Sequence, residues 1–177
     1  MGRHAEANWF DSLDGVNSRD FETCVHAHAD AVHAFARGIT SDPWLAEEAV
    51  HLTFVRAWQY QDSFRGDGSY QGWLLRICRN VVIDLAAKRH DDQSIDDMVE
   101  PATHYDDASS SAELNEAMAS LPRSQREALT LCGVLGYDYE SAAEILDVPV
   151  GTIRSRIHRG RACLGALLDD STDDAAA

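Results

Sequence analysis

The stretch PVGTIRSRIHRGR, Pro149–Arg161, carries four arginines and no acid, in a chain whose formal net charge is −15. Asp147-Val148-Pro149 precedes it, and the proline disfavours a helical Val148, so a tight break is expected there. Upstream of the break, Tyr139–Leu146 has the length and pattern of a short helix. Downstream, a longer helix is expected from about Val150 to Leu168. Its Ile153, Ile157, Gly160 and Leu164 fall on one face. The small Ala142 and Ala143 on the first helix allow the two to cross closely. A short helix, a tight turn and a second helix with clustered cations is the helix-turn-helix pattern. The opposite face of the second helix presents Arg154, Ser155, His158, Arg159 and Arg161. Arg reads guanine as a fork, and Ser adapts to several base edges. Thr152 stands at the helix start, where hydroxyl and backbone N–H groups suit phosphate.

Dividing the charge explains how so acidic a chain could meet a polyanion. Met1–Val55 is net −6, Asp91–Ser120 net −9 and Asp169–Ala177 net −4. Arg56–His90 is net +3 and Leu121–Leu168 net +1. The basic character is thus confined to two segments, the candidates for contact with nucleic acid. The four cysteines form no C-x-x-C pair, which fits a reducing cytoplasm rather than a disulfide scaffold or zinc knuckle. Neither a secretory signal nor a run of ~18 apolar residues is seen, so membrane insertion is not expected.

Outward from the C-terminal segment, Pro122 opens a helix to about Leu135, ended by Gly136. His90–Glu113 is acidic, Ser-rich and without hydrophobic period, which reads as a flexible linker. Before it, Phe21, Cys24, Val25, His28, Val32 and Phe35 follow one helix face, with Gly38 suited to its end. Asp42-Pro43 has the form of an N-cap followed by proline at the first helical position. The helix it opens has Ala46, Val50, Phe54, Ala57 and Trp58 on one stripe, while Leu52 and Val55 lie on another side beside His51. A glycine-rich loop follows, then a helix from Trp73 to about Arg89 with Trp73, Leu74, Ile77, Val81 and Leu85 inward. Arg76, Arg79, Lys88 and Arg89 decorate it. The expected architecture is all-α: an extension over 1–19, a module over 20–90, a linker over 91–113, a second module over 114–168 and an acidic, disordered tail over 169–177.

The segments LPRSQREALTLCGVLGYDYESAAEILDVPVGTIRSRIHRGRACL, AEEAVHLTFVRAW and DSFRGDGSYQGWLLRICRNVVIDLAAKR resemble regions 4 and 2 of the extracytoplasmic-function (ECF) sigma factors of bacterial RNA polymerase. Order and spacing agree over about Phe21 to Leu168. The resemblance implies a transcription initiation factor. Its second module would read the promoter −35 element through Thr152, Arg154, Ser155, His158, Arg159 and Arg161. Its first would recognise and melt the −10 element. An unpaired base would be held by the loop residues Phe64, Arg65, Gly66, Asp67 and Ser69 with Asn80, and phosphates by Arg76, Arg79, Lys88 and Arg89. Trp73 reads as core rather than as a stacking platform. Glu47, Glu48, His51, Leu52 and Val55 would dock on the clamp helices of the polymerase β′ subunit, and the second module on the β flap. His51-Leu52 stands where the family often has Gln-Glu, and Asp147 where it commonly has a turn glycine. An anti-sigma factor is a further implied partner, and the free chain is expected to be monomeric. No cofactor is implied, and no nucleophile elbow, phosphate loop or paired catalytic carboxylates point to an enzyme. Cys24 and His28 share a helix face at a spacing open to metal, but two ligands do not make a site. A free-standing helix-turn-helix regulator would lack the melting loop, and a decoy that sequesters an anti-sigma factor would lack the basic reading face.

Overall fold

The computed structural model describes the backbone of residues 18–64, 68–93 and 109–174, and side chains over 21–64, 68–89 and 114–167. The described residues form seven α-helices and no strand. They are α1 (Ser18–Ile39), α2 (Pro43–Gln59), α3 (Tyr70–Gln93), α4 (Ser109–Ser120), α5 (Arg123–Leu129), α6 (Tyr139–Leu146) and α7 (Val150–Asp174). The helices α1, α2 and α3 pack as one group and α4 to α7 as another. The segment expected to be a linker is helical at both ends, because α3 continues to Gln93 and α4 begins at Ser109; its centre lies outside the described residues. The helix α7 runs to Asp174, into the segment 169–177 that the sequence suggests is disordered.

Local chemistry explains the boundaries. Asp42 Oδ1 accepts from the backbone N–H of Trp44 and Leu45 at 2.8 and 3.1 Å, which caps α2 as the sequence indicates. Ser69 caps α3 in the same manner, its Oγ accepting from Gly72 N–H at 3.0 Å. Asp138 caps α6 by accepting from Ser141 N–H at 2.7 Å, and these hydrogen bonds hold its carboxyl below the usual carboxylate range. Asp147 ends α6 in the left-handed conformation, φ 53°, a region that Asp visits more readily than most residues. The helix α5 gives way to a π-helical turn, Thr130–Val134, before Gly136 at φ 73°.

The core of the first group is Val32, Phe35, Ala36 and Ile39 from α1, Leu45, Ala46, Ala49 and Ala57 from α2, and Leu74, Leu75, Cys78, Val81 and Val82 from α3. Burying each large apolar side chain stabilises by about 1.5–3 kcal/mol. The buried stripe of α2 differs from the expected one. Leu45, Ala49 and Thr53 are inside, whereas Trp58 is 40% exposed. Thr53 is tolerated there because its hydroxyl donates to Ala49 O at 2.6 Å. Burial pushes the Cys78 thiol up to about 12, despite a hydrogen bond with Thr53. Gly38 stands in the last turn of α1, one residue before its end as expected, but without the positive φ of a glycine cap. It lies within α1, where a Cβ would come within 2.4 Å of Thr130 Oγ1 in the other group. The glycine therefore serves close packing between the two groups.

Candidate nucleic-acid interfaces

The helix α7 is seated by Ile153 and Ile157, 0% and 3% exposed, while α6 contributes Ala142, Ala143, Ile145 and Leu146 to the same core. Gly160 lies against Leu129 of α5; a Cβ there would be 2.7 Å from Leu129 Cδ1. With these residues inward, Arg154, His158 and Arg159 are exposed, and Thr152 and Ser155 are half-buried. Arg159 lies back along its own helix, donating through Nε to Ser155 O at 3.2 Å and through its second guanidinium nitrogen to Ser155 Oγ at 3.1 Å. These are local contacts that a base edge could replace. Arg161 is exposed but lies farther along α7, where it borders the groove between the two helix groups together with Arg37, Arg126 and Leu164.

The basic residues of α3 have other surroundings. Arg79 Nε is 3.0 Å from Glu127 Oε1, and Glu127, on α5, is 1% exposed. Arg123 Nε also approaches that oxygen, at 3.6 Å. Arg76 donates to the carbonyl of Glu144, at the end of α6, at 2.6 Å. Arg89 pairs with Asp42, and its other nitrogen lies 3.9 Å from Glu48. Lys88 is exposed. So three of the four cations expected to hold phosphate already neighbour protein oxygens.

Around the start of α3, Phe64, Tyr70 and Trp73 form an aromatic cluster with ring centroids 5.2–5.5 Å apart. Cys24 and His28, the spacing open to metal, both meet Tyr70: Cys24 by a hydrogen bond and His28 with ring centroids 5.7 Å apart. A cleft of about 240 Å³ opens beside the cluster, lined by Arg56, Tyr60, Ser63, Trp73, Ile77 and Asn80. Asn80 and an aromatic wall therefore share one concavity, as stacking and edge readout of a base require. Trp73 is half-buried and belongs to both the cluster and the cleft. Arg65, Gly66 and Asp67 lie outside the described residues. On α2, His51 and Val55 are exposed and Leu52 is half-buried, while Glu47 meets His33 Nε2 at 2.6 Å.

A residue without an assigned role in the sequence reading joins the two groups. Arg126 donates to Ala119 O and Leu121 O at 2.8 and 2.9 Å and to Ile39 O, the last residue of α1, at 3.3 Å. A guanidinium at a helix C-terminus satisfies carbonyls that have no intrahelical partner. Burial lowers the Arg126 pKa, with Arg123 adding to the effect. Its Arg-Glu dipeptide was visible in the sequence, but nothing in the periodicity of α5 names a partner in α1.

The comparisons with known proteins agree with this geometry. Residues 24–91 match the family model for sigma-70 region 2, and residues 111–164 the model for sigma-70 region 4. The ECF RNA polymerase sigma factor EcfG of Rhodopseudomonas palustris is 35% identical over 149 residues, covering 81% of this chain and 82% of that protein. The ECF RNA polymerase sigma factor SigE of Mycolicibacterium smegmatis is 33% identical over 152 residues, covering 80% of this chain but only 58% of that longer protein. Among solved structures, the sigma factor RpoE of Bartonella quintana, in complex with the anti-sigma factor NepR, is similar with a TM-score of 0.78 and 33% identity, covering 85% of this chain and 98% of that one. Two region matches in order, a helix-turn-helix with an exposed basic face and a likeness over both helix groups place the chain in the ECF subfamily of sigma-70 RNA polymerase sigma factors.

Proposed function

We propose that this chain binds core RNA polymerase and directs it to promoters by reading a −35 element as duplex and a −10 element as melted strand. The carrying observation is the face of α7, where Arg154, His158 and Arg159 are exposed while Ile153 and Ile157 anchor the helix. Ser155, His158 and Arg159 face base edges in the major groove, and Thr152 and Arg154 approach phosphates. Arg161, on the groove, is the outlier of that set. In the other module the cleft bearing Asn80 takes an unpaired base, and the cations of α3 hold the flanking backbone. The loop residues Phe64, Arg65, Gly66, Asp67 and Ser69 are assigned to the same base by the family resemblance. Glu47, Glu48, His51, Leu52 and Val55 of α2 dock on the polymerase.

The family comprises transcription factors rather than enzymes, and this chain acts by binding alone. It works in the cytoplasm; no described helix is long and apolar enough to cross a membrane. An anti-sigma factor controls it, by analogy with the Bartonella relative seen in such a complex. The test is transcription in vitro with purified core polymerase on a library of promoter fragments. Transcripts that depend on this protein and start at defined sequences support the reading. Core polymerase that neither binds the protein nor starts transcription with it would overturn it.

A further inference from the structure

We propose that the groove bordered by α1, α2, α4, α5 and α7 is a binding site for a small amphiphile of the fatty-acid class, with an apolar chain and a single carboxylate head. The proposal is independent of the promoter reading above. The groove has a volume of about 550 Å³, within the roughly 300–1,000 Å³ of small-molecule sites. Its walls are mainly apolar. Ala46 and Leu129 are buried there, Met118 and Leu164 are half-buried, and Leu114 and Val134 are 46% and 66% exposed. These side chains offer a continuous surface to a hydrocarbon chain, and part of that surface faces water.

The head group follows from the charges. Arg37, Arg126 and Arg161 line the groove against one acid, Asp42, in a chain of net charge −15. Arg37 and Arg161 are exposed and form no ion pair among the described residues. Asp42 is already engaged by Arg89 and by the first N–H groups of α2. An anion is therefore favoured, while the Asp42 carboxylate disfavours a doubly charged head such as a phosphate monoester. Arginine takes a carboxylate as a fork. Two buried polar atoms of the lining also lack a hydrogen-bond partner in the protein: Arg126 Nε, and Thr130 Oγ1 on a residue 0% exposed. The other guanidinium nitrogens of Arg126 donate to Ala119 O, Leu121 O and Ile39 O, which fixes the group and leaves Nε as the spare donor. Buried donors of this kind call for an acceptor, and a carboxylate is one. An acidic peptide helix fits the volume less well: at about 10–12 Å across, even two turns occupy on the order of 1,000 Å³.

The experiment titrates the full chain with decanoate in a calorimeter, below the concentration at which it forms micelles. Wild type, Arg37→Gln and Ala34→Phe are compared, with circular dichroism reading helix content. Decanol and decyltrimethylammonium serve as the neutral and cationic controls. Decanoate should bind wild type at one saturable site, decanol more weakly and decyltrimethylammonium not at all. Arg37→Gln should weaken decanoate about tenfold, through loss of one charge-assisted contact, and leave decanol unchanged. Ala34 lines the groove and is half-buried, so Ala34→Phe fills the space and should weaken decanoate and decanol alike. In wild type, the methyl NMR signals that decanoate shifts should be those of Met118, Leu129 and Leu164, a readout that stands even where a variant loses helix content. No saturable binding, equal binding of decyltrimethylammonium, affinity unchanged in both variants, or methyl shifts elsewhere would each overturn the proposal. So would silence towards decanoate with binding of a Glu-rich amphipathic peptide, which would give the groove to a protein partner.

Discussion

Arg79 on α3 lies 3.0 Å from a carboxylate that solvent hardly reaches, whereas Arg154 and His158 on α7 face open solvent. Both helices bear arginines within the two segments that are not acidic, and in sequence they look alike. The difference is one of occupancy. The charge of α3 is spent on α5, on the end of α6 and on the start of α2; the reading face of α7 makes mainly contacts within its own helix. A basic stripe in a sequence therefore marks a capacity for polyanions, and only the fold shows whether that capacity is free.

The interface that occupies α3 is also of a different quality from the cores on either side. The cores bury Phe35, Leu74, Leu131 and Ile153 fully. At the junction, Arg79 Nε, Glu127 Oε1, Arg126 Nε and Thr130 Oγ1 are buried without a well-directed hydrogen bond, even though the Arg79–Glu127 pair lies within ion-pair distance. Each such atom costs about 1–3 kcal/mol relative to a satisfied one. A junction built this way is less stable for its area than an apolar core.

The sharpest break of the comparison is Ile153→Ala. It should cost about 2–5 kcal/mol in the second module, by cavity formation under α7, and abolish duplex binding; denaturant unfolding and anisotropy check it. Arg159→Ala should leave stability unchanged and weaken binding to the −35 element by about 1–3 kcal/mol, with little effect on the −10 strand. Asp42→Ala should cost about 1 kcal/mol in thermal unfolding through loss of the α2 cap, and it also releases Arg89 from its partner. The smallest effect is chemical. At pH 8 a thiol reagent should modify the exposed Cys163 and leave Cys78 intact, since the latter titrates near 12. Linkage adds a pH effect. With its folded pKa raised above its unfolded one, Cys78 contributes full stability below about pH 9 and progressively less above it. Peptide mapping by mass spectrometry reads the labelling.

Much of this was legible beforehand, where the signal is local. The Asp42-Pro43 cap, the bounds of α6 and the inward Ile153 and Ile157 follow from neighbours within a few residues. The α2 stripe was misplaced because its buried face is mostly alanine and threonine, which carry little hydrophobic contrast. Gly38 resembles a helix stop by type, and only the approach of Thr130 from a distant segment reveals its use. For the same reason the Glu127 carboxylate could not be matched to Arg79: periodicity tells which face is inward, not which helix covers it.

The most direct test of this contrast between two basic faces measures strand and duplex binding by the wild-type protein, free and bound to core polymerase, at one salt concentration. The account predicts that the free chain binds −35 duplex measurably and −10 single strand poorly, and that core polymerase raises strand affinity far more than duplex affinity. Equal affinity of the free chain for both, unchanged by polymerase, would contradict it.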